Sequence, residues 1–200
     1  MPDIVYKYKN NLYINLTNRC PNDCDFCDIP AISRDLGVDL ILDHEPNFAE
    51  LTNAIRQNIS DILNEIVFCG GGEPLMRLDI LLKVAKWIKS NYDHKIRLDT
   101  CGYPFIFYNG RKVVRELKSE GLDAVSVSIN STNAEDYNRV CHPKYEPAYQ
   151  KSIEFVKDCK QAGLKTRISF VDYQIDHDKC RQLAEKLGVD YIIRGYVNTV

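Results

Sequence analysis

Short runs of alternating apolar and polar residues recur along this chain, separated by longer runs with helical spacing. Leu12, Ile14 and Leu16 share one side of an extended segment and Tyr13, Asn15 and Thr17 the other, which predicts a strand over 12–17. Phe48, Leu51, Ile55 and Ile59 recur at helical spacing. The apolar run 65–69 predicts a second strand, ending at Gly70-Gly71-Gly72-Glu73-Pro74, and a helix follows with Leu78, Leu81, Leu82, Ala85 and Ile88 as its stripe. Residues 95–101 predict a third strand. The next helix, about 111–120, buries Val113, Val114 and Leu117 and stops at Gly121. A fourth strand covers 123–130, and 131–147 reads as a polar loop. A helix bearing Tyr149, Ile153 and Val156 leads to a fifth strand at 165–172. Asp176 then caps a helix that ends at Gly188, before a sixth strand at 190–197. Two stretches are less regular. Residues 4–8 are an edge strand or a lead-in, and 28–46, with Pro30, Gly37 and Pro46, predict a long loop with at most a helical turn.

Strand and helix alternate six times over, and nothing in the composition marks a linker, so a single domain over 1–200 is expected. Parallel strands need crossovers, and those crossovers are right-handed. With every helix on one side the sheet curls. The expected fold class is therefore α/β, a barrel or part of one with helices outside, since six units fall short of the eight that close. A doubly wound open sheet is the alternative.

The inward faces of these strands are unusual. Val125, Val127 and Ile129 alternate with Ser126, Ser128 and Asn130; Ile96 and Leu98 with Arg97 and Asp99; Ile168 and Phe170 with Arg167 and Ser169; Ile193 with Arg194. If the apolar sides meet the helices, the polar sides line the barrel. Burying such groups without partners costs several kcal/mol in principle, about 2–7 for one unpaired polar group. Either they satisfy one another, Asp99 with an arginine and serine with serine, or they line a wet cavity. Arg97, Arg167 and Arg194 then suit an anionic substrate, with Thr100 a further substrate-side candidate.

Composition narrows the partners. Lys plus Arg number 26 and Asp plus Glu 28, a formal charge of −2, which gives no strong nucleic-acid signal. No apolar run approaches the roughly 18 residues that span a bilayer, and no basic-then-apolar leader is visible at the start. A cytoplasmic, reducing location is expected. There, clustered cysteines read as metal-binding or catalytic. Three of the eight cysteines do cluster, in Cys20-Pro-Asn-Asp-Cys24-Asp-Phe26-Cys27. A structural zinc needs a fourth ligand, for which Cys69, Cys101, Cys141, His44 and His142 are the candidates. A [4Fe–4S] cluster takes four cysteines, and three leave one iron open.

The spacing Cys20-x-x-x-Cys24-x-Phe26-Cys27 after the first strand resembles the signature of the radical S-adenosylmethionine (radical SAM) superfamily. Gly71-Gly72-Glu73-Pro74 after the second strand resembles its GGEP motif. Asp99-Thr100-Cys101-Gly102 resembles its Thr-Asn-Gly element, with cysteine in place of asparagine. More narrowly, the opening Leu12-Tyr-Ile-Asn-Leu-Thr-Asn-Arg-Cys20 is similar to the small radical SAM proteins associated with TatD-family hydrolases. The resemblance implies a partial (β/α)6 barrel in which Cys20, Cys24 and Cys27 hold a [4Fe–4S] cluster. It also implies reductive cleavage of S-adenosylmethionine to a 5′-deoxyadenosyl radical that abstracts hydrogen from a substrate. By motif position, Phe26 lies near the adenine, and Gly71, Gly72 and Glu73 near the methionyl amino group. Ser128 and Asn130 lie near the carboxylate or ribose. The implied partners are a small-molecule or protein substrate, a flavodoxin- or ferredoxin-like electron donor and a TatD-family hydrolase. Activation of a glycyl-radical partner and a zinc-stabilised binding module are the alternatives.

Overall fold

The computed structural model describes residues 3–61 and 64–197. Its centre is a seven-stranded sheet in chain order: β1 (Val5–Tyr8), β2 (Asn11–Ile14), β3 (Glu65–Phe68), β4 (Lys95–Thr100), β5 (Ala124–Ser128), β6 (Lys165–Val171) and β7 (Asp190–Arg194). β2 to β7 run parallel, the six strands expected. The stretch at 4–8 is an edge strand, β1, antiparallel to β2, so the sheet is mixed. No pairing joins β1 to β7 among the described residues, and the fold is an open, partial barrel.

The crossover helices are α2 (Phe48–Asn58), α3 (Leu78–Asn91), α4 (Val113–Ser119), α6 (Ala148–Gln161) and α7 (His177–Leu187). Their apolar stripes meet one face of the sheet in a single core that includes Leu12, Ile14, Ile66, Phe68, Ile96, Leu98, Val125, Val127 and Ile168. These are the residues whose alternation predicted the strands. Local chemistry sets the ends. Asn47 accepts from the backbone of Ala49 and Glu50, and Glu50 returns the bond to Asn47, a capping box for α2. Asp176 caps α7, and Gly188 closes it in the left-handed region.

Two helices lie in stretches read as loops. α1 (Ile29–Leu36) starts at the capping side chain of Asp28, with Pro30 in its first turn, and stops at Gly37. α5 (Ala134–Cys141) starts at Asn133, whose side chain accepts from the Asp136 backbone. Each has eight residues and few buried ones, Ala31 in α1 and Tyr137, Val140 and Cys141 in α5, so helical periodicity had little to register on. Both stand at the C-terminal end of the sheet. α5 packs with Tyr103, Cys101 and Ala148 in a second, smaller core.

Ile14 and Ile41 separate burial from residue type, being 0% and 50% exposed. Ile14→Ala is expected to lower unfolding free energy by about 2–5 kcal/mol. Ile41→Ala should stay within about 0.5 kcal/mol. Urea titration of the two variants checks this, and equal losses would contradict the assigned core.

Candidate functional site

The cysteine loop leaves the end of β2 and is gripped from two sides. On one side is the turn after β3. Buried Asn15 donates to the Leu40 carbonyl (2.9 Å) and accepts from the Gly71 amide (3.2 Å). A Cβ on Gly70 would lie 2.1 Å from Asn15 Oδ1, and one on Gly72 would lie 2.5 Å from the carbonyl oxygens of Thr17 and Arg19. Only glycine lets the turn press so closely on the backbone leading to Cys20. The Glu73 amide then donates to the Arg19 carbonyl (2.9 Å).

The Glu73 side chain is 4% exposed and fully engaged. Oε1 accepts from the Leu75 amide (2.8 Å) and Thr100 Oγ1 (2.7 Å), and Oε2 from the Cys101 amide (2.7 Å). Burial raises its pKa while these hydrogen bonds pull the other way. Thr100 also accepts from the Gly102 amide (3.0 Å). Glu73 and Thr100 therefore tie the end of β4 to the turn after β3.

On the other side is α5. The Asp23 and Asp25 amides donate to the carbonyls of Cys141 (3.1 Å) and Val140 (3.0 Å), and the Lys144 amide donates to the Pro21 carbonyl (2.8 Å). Asn22 is 9% exposed; it donates to Tyr137 Oη (3.0 Å) and accepts from Tyr103 Oη. Lys144 Nζ donates to the Cys20 carbonyl (3.2 Å), and His142 pairs with Asp25 (2.7 Å). These partners were invisible to pattern reading, although Asn133 with acidic residues in the following turn is a helix-start signal.

The three thiols sit close enough to perturb one another. Burial, then neighbouring charge, pushes Cys20 up to about 12 and Cys27 up to about 11. The Cys24 thiol donates to the Cys141 carbonyl (3.6 Å), and its pKa is raised first by hydrogen bonding with Cys141 and then by burial. Of the other ligand candidates, His44 pairs with Glu50 (2.8 Å), Cys141 is fully buried behind Cys24, and Cys101 lies beneath the loop. Among the described residues no three His, Cys, Asp or Glu side chains are gathered closely enough to hold a metal ion. A four-iron cluster takes each thiolate on a different iron, whereas zinc draws all its ligands to one point. Three free thiols on one short loop are donors of the kind such a cluster takes, one fewer than its usual four.

Phe26 packs against Tyr173 beyond β6 (centroids 5.8 Å), which packs in turn on Tyr196 beyond β7 (5.1 Å). The sequence alone did not single out either tyrosine as a site residue. Asn130 is 6% exposed with φ +50°, and its Oδ1 accepts from the Val171 amide (3.1 Å), clipping β5 to β6. Ser128 Oγ accepts from Arg194 (3.1 Å) and lies 3.4 Å from Ser169 Oγ, and Arg167 Nε donates to Ser126 (2.9 Å). Arg97, 6% exposed, pairs with Glu65 (2.9 Å) and Asp99. Burial works against its charge, but the carboxylates hold its pKa above the ordinary value. Thus Ser128, Arg167, Arg194 and Arg97 do line the interior, and Gly71, Gly72 and Glu73 adjoin the cysteine loop.

An open α/β barrel of six parallel strands, with a three-cysteine loop after the first of them and a Gly-Gly-Glu-Pro turn after the next, defines a class of cofactor-using barrels. The profile of the Radical SAM superfamily matches residues 14–187, and the chain belongs to that superfamily. It is 26% identical over 162 residues to a GTP 3′,8-cyclase of Aliarcobacter butzleri, covering 80% of this chain and 46% of that protein. It is 26% identical over 184 residues to a probable dual-specificity RNA methyltransferase RlmN of Prochlorococcus marinus, covering 88% and 50%. The chain thus spans about half the length of these relatives. Its fold is shared with Streptococcus suis SuiB bound to its precursor peptide SuiA (TM-score 0.71, 16% identity, 96% of this chain and 40% of that one). It is shared also with SuiB bound to S-adenosylmethionine (TM-score 0.66, 17% identity, 92% and 38%). Among the described residues no helix is long and apolar enough to cross a membrane.

Removing the Glu73 carboxylate leaves the buried donors of Leu75, Thr100 and Cys101 without their acceptor. At roughly 1–3 kcal/mol for each unsatisfied group, Glu73→Ala should destabilise the metal-free chain by at least about 3 kcal/mol. Denaturation without iron or S-adenosylmethionine checks this. A loss below about 1 kcal/mol would show that Glu73 is not structural.

Proposed function

We propose that the chain is a single radical SAM core domain over 1–200, acting as an enzyme with a [4Fe–4S] cluster on Cys20, Cys24 and Cys27 and with S-adenosylmethionine as cofactor. When bound, the cluster supplies the electron that cleaves the cofactor to a 5′-deoxyadenosyl radical, which abstracts hydrogen from the substrate. One observation carries this reading. A loop of three thiols, its backbone held on two sides by the protein, opens at the C-terminal end of a polar barrel.

The protein's own part is positioning. Phe26, leaning on Tyr173, offers an apolar wall to the adenine. The turn at Gly71 and Gly72 brings backbone polar groups toward the methionyl amino group, and Glu73 holds that turn in place through Thr100 and Cys101. Ser128 and Asn130 face the ribose and carboxylate from β5. The substrate occupies the barrel interior. An external flavodoxin- or ferredoxin-like protein delivers the electron. The narrower likeness to TatD-associated radical SAM proteins, with a TatD-family hydrolase as partner, rests on the residues from Leu12 to Cys20. The edges β1 and β7 are unpaired among the described residues, which favours a protein substrate as the second reading, including activation of a glycyl-radical partner.

Anaerobic reconstitution should load about four irons per chain, and dithionite with S-adenosylmethionine should then yield 5′-deoxyadenosine. Alanine at Cys20, Cys24 or Cys27 should abolish both, while Cys180→Ala, in the apolar core of α7, should keep them. A chain that retains stoichiometric zinc and takes up no iron would contradict the proposal.

A further inference from the structure

The three arginines of the barrel interior are not equivalent. Arg97 has carboxylates on both sides, Glu65 and Asp99. Arg167 and Arg194 have no carboxylate within ion-pair distance among the described residues. Each is anchored on a serine hydroxyl: Arg167 Nε on Ser126 (2.9 Å) and Arg194 Nη2 on Ser128 (3.1 Å). Asp190 stands opposite Arg167 in the β6–β7 register, yet it is solvent-exposed and forms no ion pair with it. Arg194 Nε is buried and has no hydrogen-bond partner at all. A buried N–H of a cation without an acceptor is costly, and a native site usually supplies one.

Further facts describe the surroundings of the two arginines. Burial, and then the positive charge of Arg97, pull the pKa of Arg167 down, while Asp99 and Glu65 pull it up. A cavity of about 950 Å³ at the N-terminal ends of the strands is lined by Arg97 and Arg167, and Arg194 is not in its wall. Arg194 closes β7 at the C-terminal end of the strands, the end from which the cysteine loop leaves β2.

The spacing sets the size of the missing group. Ser126 and Ser128 are alternate residues on the inner face of β5, about 7 Å apart by strand rise. A guanidinium reaches a carboxylate or phosphate oxygen at about 2.7–2.9 Å, so two forks anchored that far apart can close on one oxyanion. We propose that Arg167 and Arg194, aimed by Ser126 and Ser128, form a receptor for a single carboxylate or phosphate group of the substrate, with Arg97 serving as a matched structural ion. This rests on the reading of the barrel interior as the substrate chamber. The competing source of the same chemistry is the methionyl carboxylate of S-adenosylmethionine.

Calorimetric titration of the full-length chain with inorganic phosphate and with malonate tests the receptor. The expected result is saturable binding, weakened at least about tenfold by Arg167→Gln and by Arg194→Gln. Arg139→Gln, which alters a surface pair with Asp136, should not weaken it. Arg167→Lys and Arg194→Lys keep the charge but lose the fork. They should recover only part of the affinity, and they replace any glutamine variant whose circular dichroism shows it unfolded. Binding that persists at saturating S-adenosylmethionine assigns the receptor to the substrate. Displacement by S-adenosylmethionine but not by its decarboxylated analogue assigns it to the cofactor and overturns the proposal. So does absent binding in the wild type, or unchanged affinity in both arginine variants. The titration reads binding and not turnover. A chain that loads no iron yet shows this pattern would therefore sink the radical reading and leave the receptor standing.

Discussion

The site depends on one buried carboxylate. Glu73 stands where three strand ends meet. Its side chain gathers the backbone of its own turn and the end of β4, and its amide holds the segment that leads from β2 into the cysteines. A carboxylate in so dry a place is tolerated only because donors surround it, each bond to a charged group worth about 1.5–3 kcal/mol. The three glycines before it have a related task. They remove side chains that would collide with Asn15, with the Leu40 carbonyl and, at Gly72, with the backbone that leads into the cysteines. The backbone around the thiols is thus held by hydrogen bonds to the rest of the protein on both flanks.

The interior follows another rule, that of matched charge. Arg97 shows how the barrel neutralises a buried cation when it means to keep it for structure, with two carboxylates in contact. Arg167 and Arg194 receive hydroxyls instead, which orient a guanidinium but do not neutralise it. Arg97 on β4 and the pair Arg167 and Arg194 on β6 and β7 thus differ in what faces them. Part of this polar face is satisfied from within, by Asp99 on Arg97 and by Ser126 and Ser128 on Arg167 and Arg194.

Much of this was legible in the amino-acid order because the strands are amphipathic in a barrel whose inside is polar. Alternation in 124–128 and 95–100 placed Ser126, Ser128, Arg97 and Asp99 inward, and the residues buried against the helices are those the pattern selected. The cysteine loop and the glycine turn stood out through spacing alone. What stayed hidden is tertiary in origin. α5 packs on the cysteine loop through Tyr137, Val140 and Cys141, and no local periodicity says what a short helix will meet. The same holds for Glu65, whose pairing with Arg97 crosses from β3 to β4, for Tyr173, which packs on Phe26, and for Tyr196, which packs on Tyr173 once β6 and β7 lie side by side. α1 had Asp28, Pro30 and Gly37 at its ends, yet its single buried residue gave no stripe to recognise.

The central claim is that the protein's own hydrogen bonds hold the cysteine loop in place. Amide hydrogen exchange on the metal-free chain tests it directly. The amides of Asp23, Asp25, Glu73 and Cys101, each bonded to a partner across the fold, should exchange far more slowly than unstructured backbone. If they exchange at the rate of an unfolded peptide and gain protection only when iron and sulfide are added, the loop is organised by its cluster and the account is wrong.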